Sequence, residues 1–166
     1  MLSCLFKFKN KEMDKNTDLR KLIEEILRDS REMVLATSVN NIPWVCVLVF
    51  GHDDKYNLYW MSQENARHSK EIVKNPKVAA VVNKQPTGEN AKGLQIEGNA
   101  YKLETEEEIG AAREFFAKRG GDLPLPETPQ EAEPISPGSS WYVLKPEKIY
   151  VYYGPLFGYE RKEFIP

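Results

Sequence analysis

The sequence predicts a mainly β domain with helices at its periphery: a six-stranded antiparallel barrel, built from hairpins. Short runs rich in Val, Ile, Tyr and Trp recur between turn-forming residues, which is the pattern of hairpin strands. Three stretches with helical spacing lie before and between those runs. At 166 residues the chain suits one domain with a substantial core.

The elements follow in order. Leu19, Leu22, Ile23, Ile26 and Leu27 make one apolar stripe at helical spacing, with Thr17 or Asp18 as cap. Arg20, Lys21, Glu24, Glu25 and Arg28 form its solvated face. Residues 33–39 read as a strand, and Asn40-Asn41 as a tight turn, because Asn tolerates positive φ. The strand at 43–50 is apolar on both faces, with Trp44, Cys46, Leu48 and Phe50 on one and Val45, Val47 and Val49 on the other. Such a strand needs cover on both sides. One face fits a barrel interior, and the other a partner chain or a flat ligand. His52-Asp53-Asp54-Lys55 marks the next turn.

A buried strand is expected at 77–82, a loop at 84–92, and a longer strand at 93–103 in which Gly98 marks a bulge or a close approach. Thr105-Glu106-Glu107-Glu108 matches a capping box. It opens a helix to about Lys118, with Ile109, Ala112, Phe116 and Ala117 inward. Residues 120–140 are rich in Pro, Gly and acidic side chains and read as a long surface excursion. One or two strands, at 141–144 and 148–153, close the sheet. The aromatic tail 154–166 is expected to dock on a partner subunit.

The organising stretch is 58–76. Tyr59 and Trp60 support a strand, Asn65 is the expected N-cap of a short helix, and Asn75-Pro76 stops it. This junction gathers Ser62, the open amides of a first helical turn, Arg67 and His68. Helix starts favour anions, and Arg presents a fork of donors matched to phosphate oxygens. The junction therefore reads as a phosphate seat for a nucleotide-like cofactor. Its other reading is an ordinary strand–helix junction with solvated charges.

Bulk properties narrow the classes. A net charge of −2 gives no ground for nucleic acid or an anionic membrane as partner. Cys4 and Cys46 are the two cysteines, with no CxxC pair, so neither a disulfide framework nor a structural zinc site is expected. Cys46 in an apolar strand reads as an inert thiol, and two His without a carboxylate motif make a poor metal site. The apolar opening 1–9 is too short for a signal core or a membrane span. Residues 1–16 read as a flexible segment, 17–166 as the domain, and the chain as soluble and cytoplasmic.

Three blocks resemble the FMN-binding split-barrel family typified by pyridoxamine 5'-phosphate oxidase. They are Leu35-Ala36-Thr37-Ser38 with its hairpin into Pro43-Trp44-Val45-Cys46-Val47, then Ser62, Arg67, His68 and Asn75-Pro76-Lys77-Val78, and finally Leu144-Lys145-Pro146-Glu147-Lys148-Ile149-Tyr150-Val151-Tyr152. The resemblance implies a split barrel and a homodimer with FMN at sites between the subunits. Ser62 and Arg67 would hold the phosphate, with His68 where the family often has Lys. Val47 and Leu48 would run their backbone along the flavin ring. The strand carrying Gly93 and Gln95 would approach the ring or ribityl chain, and Trp141 and Tyr152 would reach across from the partner.

Two departures stand out. Cys46 replaces an Arg of the oxidase, and residues 156–161 lack its Arg-x-His substrate signature. The expected function is thus an FMN-dependent oxidoreductase acting on a substrate other than pyridoxamine phosphate, with no catalytic side chain assigned. The alternatives are the same fold holding coenzyme F420 or haem, or a non-catalytic flavin-binding sensor.

Overall fold

The structure is a computed structural model describing residues 19–85, 90–118 and 137–166. Its elements run α1 (Leu19–Asp29), β1 (Glu32–Val39), β2 (Ile42–Val49), β3 (Gly51–His52), β4 (Leu58–Gln63), α2 (Arg67–Lys74) and β5 (Lys77–Gln85). They continue through β6 (Lys92–Lys102), α3 (Glu106–Lys118), β7 (Ser139–Tyr153), α4 (Gly154–Phe157) and β8 (Lys162–Phe164). One eight-stranded sheet holds them, in the order β2-β1-β5-β6-β7-β4-β3 with β8 on β7. Every pairing is antiparallel. The sheet curls into a half-barrel, the split-barrel class the sequence predicts.

Alternation along the strands builds the core. Leu35, Leu58, Trp60, Leu94, Ile96, Leu144 and Ile149 all point inward and are buried. Trp60 and Tyr142 stack at 5.7 Å between centroids. α1 closes this core with Leu22, Ile23, Ile26 and Leu27, each burial being worth roughly 1.5–3 kcal/mol. A second cluster of Leu103, Ala112, Trp141 and Val143 lies under α3. No helix among the described residues is long and apolar enough to cross a membrane.

Several local expectations hold for visible reasons. Asn40 and Asn41 have φ of 53° and 62°, as a tight hairpin turn requires. Thr105 and Glu108 exchange capping bonds: the Glu108 amide donates to Thr105 Oγ1 at 3.2 Å, and the Thr105 amide to Glu108 Oε2 at 3.5 Å. Gly98 sits at a register shift, and a Cβ there would lie 2.2 Å from the Lys145 carbonyl oxygen.

Other expectations are corrected. The sheet has eight strands, not six, because β3 and β8 are too short to show a periodic pattern. The closing segment is one 15-residue strand across Lys145-Pro146-Glu147, since the bulge opposite Gly98 absorbs the proline. Lys84 and Lys92 belong to β5 and β6, not to a loop. Glu25 is not simply solvated: Lys84 and Lys92 donate to it at 2.9 and 2.8 Å, pinning α1 to the sheet. Part of the tail packs on its own sheet, with Tyr159 and Ile165 left exposed. β8 pairs with β7, Phe164 meets Tyr56 edge-on at 5.4 Å, and Phe157 is buried. Residues 1–16, the caps Thr17 and Asp18, and most of the 120–140 excursion lie outside the described residues.

Candidate functional site

β4 turns Leu58 and Trp60 into the core, and the same alternation carries Ser62 inward at the strand's end. Two backbone bonds then turn the chain, from the Glu64 amide to the Gly138 carbonyl at 2.9 Å and from the Ala66 amide to the Gln63 carbonyl at 3.1 Å. α2 starts at Arg67, with Ala66 in the cap position and no side-chain cap bond. Asn65 is therefore not the cap: the chain enters the helix one residue later than the sequence implied. The first turn keeps amides without a side-chain acceptor, which is the state that favours a bound anion. At the far end Asn75 stops the helix as expected, its side-chain Nδ2 donating to the Ser38 carbonyl at 2.9 Å.

Ser62 Oγ and His68 Nε2 share a hydrogen bond of 2.7 Å. His68 is buried, and desolvation pushes its pKa below the ordinary 6.5, with Glu71 pulling weakly the other way. The imidazole is thus neutral at pH 7. Ser69 is 1% exposed, and its hydroxyl finds no partner among the described residues.

Arg67 donates through Nε to Glu71 Oε1 at 2.8 Å, and its guanidinium lies 4.4 Å over the Trp44 ring. Glu71 is itself buried, and Thr37 donates to its other oxygen at 2.5 Å. The Thr37 bond first, and Arg67 second, hold the Glu71 carboxyl below the usual range. Burial, with Glu71 nearby, pushes the Cys46 thiol up, so it stays protonated. The uncapped first turn and an oriented guanidinium fit a phosphate group. The Glu71 charge offsets that of Arg67, so the seat is closer to neutral than the sequence reading implied.

The remaining expected residues fall in three places. Val47 and Leu48 lie on β2, at one end of the strand order, so one backbone edge has no strand beside it. Val47 is 61% exposed and Leu48 packs half-buried against the core. Trp44 and Val47 are three residues apart on that strand, roughly 10 Å. Gln95 and Tyr152 form a separate group with Arg161. Arg161 Nε donates to Gln95 Oε1 at 3.1 Å and the guanidinium sits 5.8 Å from the Tyr152 ring, while the Tyr152 hydroxyl bonds to Asn83. The pairings Val47↔Val34, Val34↔Val81 and Val81↔Gln95 put this group on the Val47 face of the sheet. Three strand spacings separate the two, about 14 Å. Trp141 is not brought to either group. Its register opposite Met61 turns it under α3, where it meets Phe116 edge-on at 5.3 Å.

Sequence reasoning missed Thr37, Trp44 and Glu71. Glu71 had a local signal, since Arg67 and Glu71 are four apart on one helix face. Thr37 and Trp44 face each other across the β1–β2 hairpin, and only packing of α2 against that hairpin brings them to Arg67. Among the described residues no group of three or more His, Cys, Asp or Glu is placed to hold a metal.

The profile of the family described as Pyridoxamine 5'-phosphate oxidase matches residues 19–153. Solved structures share the fold at low identity. A candidate pyridoxamine 5'-phosphate oxidase from Listeria innocua aligns with a TM-score of 0.62 and 22% identity, over 81% of this chain and 98% of that one. A heme binding protein from Mycobacterium smegmatis gives 0.66 and 15%, over 88% of this chain and 56% of that one. A heme storage protein from Vibrio cholerae gives 0.60 and 17%, over 86% and 91%. None of the curated proteins matches this chain in sequence.

Proposed function

This chain belongs to the pyridoxamine 5'-phosphate oxidase family, and from that premise we propose that it is a cytoplasmic, homodimeric FMN-dependent oxidoreductase. The observation that carries the proposal is the start of α2, where no side chain caps the first turn, Ser62 bonds His68 and Glu71 orients the Arg67 guanidinium. Ser62, the first-turn amides and the outward edge of the Arg67 guanidinium hold the phosphate, beside the neutral His68. The open edge of β2 at Val47 and Leu48 supplies backbone groups to the ring. Bound there, FMN supplies the electron chemistry, while the chain binds, orients and excludes water. The substrate is one other than pyridoxamine phosphate, since residues 156–161 lack the Arg-x-His signature.

A second copy completes the site. Val34, Val45, Val47 and Val49 are 38%, 57%, 61% and 37% exposed on one face, an apolar stripe that a partner would cover. The Gln95, Tyr152 and Arg161 group lies on the same face, so a two-fold contact carries it toward the partner's β2 edge.

Haem is the competing cofactor, given the heme-binding neighbours. A histidine axial ligand needs a ring nitrogen open to iron. Of the chain's two His, His68 is buried with Nε2 bonded to Ser62, which argues against it as the axial ligand and leaves the half-buried His52 as the candidate for haem. The test is the absorbance spectrum of the purified protein before and after FMN addition, with size-exclusion chromatography. A flavin spectrum travelling with a dimer is the expected result. A haem spectrum would replace the cofactor, and a protein that takes up neither would overturn the proposal. Stopped-flow reduction by NADH or NADPH then separates an enzyme from a static flavin carrier.

A further inference from the structure

We propose that Glu71, Trp44 and Thr37 are positioning residues that clamp the Arg67 guanidinium in the orientation that receives a phosphate monoester. The inference rests on the flavin-phosphate reading of the α2 start. A free arginine side chain loses rotamer entropy each time it binds an anion. Here the ordering is already present. Glu71 takes the Nε donor at 2.8 Å, which uses one edge of the planar fork and leaves the opposite edge to face a ligand. Trp44 lies under the guanidinium at 4.4 Å and fixes its plane. Thr37, donating at 2.5 Å to the second Glu71 oxygen, keeps the carboxylate from rotating. The three residues come from β1, β2 and α2, so the clamp also reports the packing of that hairpin on the helix.

Glu71 has an alternative role in the same place: its negative charge can merely repel a phosphate. The two roles predict opposite signs. If Glu71 positions Arg67, removing its side chain weakens phosphate binding. Glu71→Gln, which keeps an oxygen for Nε, leaves it largely intact. If Glu71 repels, both substitutions strengthen binding.

The experiment compares FMN with riboflavin, which lacks the phosphate, by fluorescence titration of the wild type, Glu71→Ala, Glu71→Gln, Trp44→Ala and Thr37→Val. NMR of the Arg67 Nε–H resonance is recorded on the same proteins without ligand. The expected result is a slowly exchanging Nε–H in the wild type, lost in Glu71→Ala. The preference for FMN over riboflavin should fall about ten- to hundredfold in Glu71→Ala, the reach of a charge-assisted hydrogen bond. It should fall less in Trp44→Ala and Thr37→Val and hold in Glu71→Gln. Riboflavin affinity unchanged throughout shows that the variants fold. A preference that stays constant or rises in Glu71→Ala, with Nε–H exchange accelerated, overturns the clamp while leaving the phosphate seat standing. A wild type that binds both flavins equally, with Nε–H still protected, overturns the seat and the clamp's role in it.

Discussion

Replacing Arg67 with Ala perturbs two equilibria that the structure lets us separate. The first is ligand binding. A charge-assisted hydrogen bond to phosphate contributes roughly 1.5–3 kcal/mol, so FMN affinity should fall about ten- to 150-fold. The second is folding. Glu71 is 9% exposed and loses its Nε donor, although the Thr37 bond at 2.5 Å remains. The Arg67 side chain is 46% exposed, so both the ion pair and the Trp44 stack are screened, which discounts the stability loss to about 1 kcal/mol. Adding Glu71→Gln to Arg67→Ala removes the stranded charge. The double variant should regain the melting temperature without regaining affinity. Flavin fluorescence titration and thermal melts monitored by circular dichroism read the two quantities independently. An Arg67→Ala protein with the wild-type dissociation constant would remove Arg67 from the phosphate seat, however stable the variant proved.

The remaining predictions concern other parts of the molecule. Acidification should destabilise the ligand-free protein from about pH 6.5 downward, because burial depresses the His68 pKa below 6.5 and the unfolded chain takes up that proton first. His68→Gln should flatten this segment of the melting-temperature profile, and an unchanged profile would assign it elsewhere. Gly98→Ala should lower stability by roughly 1–3 kcal/mol, since the new Cβ meets backbone at Lys145 and Pro146 rather than a movable side chain. A chemical denaturation curve matching the wild type would contradict the bulge geometry. Val47→Asp should convert a dimer to a monomer by light scattering while sparing the fold, Val47 being exposed in the single chain. A wild-type protein that is already monomeric would refute the proposed interface.

Local chemistry made much of the fold legible. The Asn40-Asn41 turn, the Thr105–Glu108 cap and the α1 stripe each depend on residues close in sequence, and each is present. Where an element is short, no period exists to detect, which is why β3 and β8 were invisible. The proline at 146 looked like a strand break because its tolerance depends on a bulge at Glu147 of its own strand, opposite the distant Gly98.

The candidate site divides in the same way. Ser62, Arg67 and His68 lie within one turn–helix junction, so the sequence by itself determined that their side chains would gather at a helix start. It also determined that β2 would be apolar on both faces. Only the tertiary structure decided that Asn65 does not cap, that Glu71 neutralises and orients Arg67, and that Trp44 lies beneath it. Only the register of β4 against β7 decided that Trp141 goes under α3, while Gln95 and Tyr152 join Arg161 on the face that carries Val47. The physical reason is range. Caps, turns and amphipathic stripes are set within a few residues, whereas the electrostatics of a seat depend on which distant strand packs against the helix.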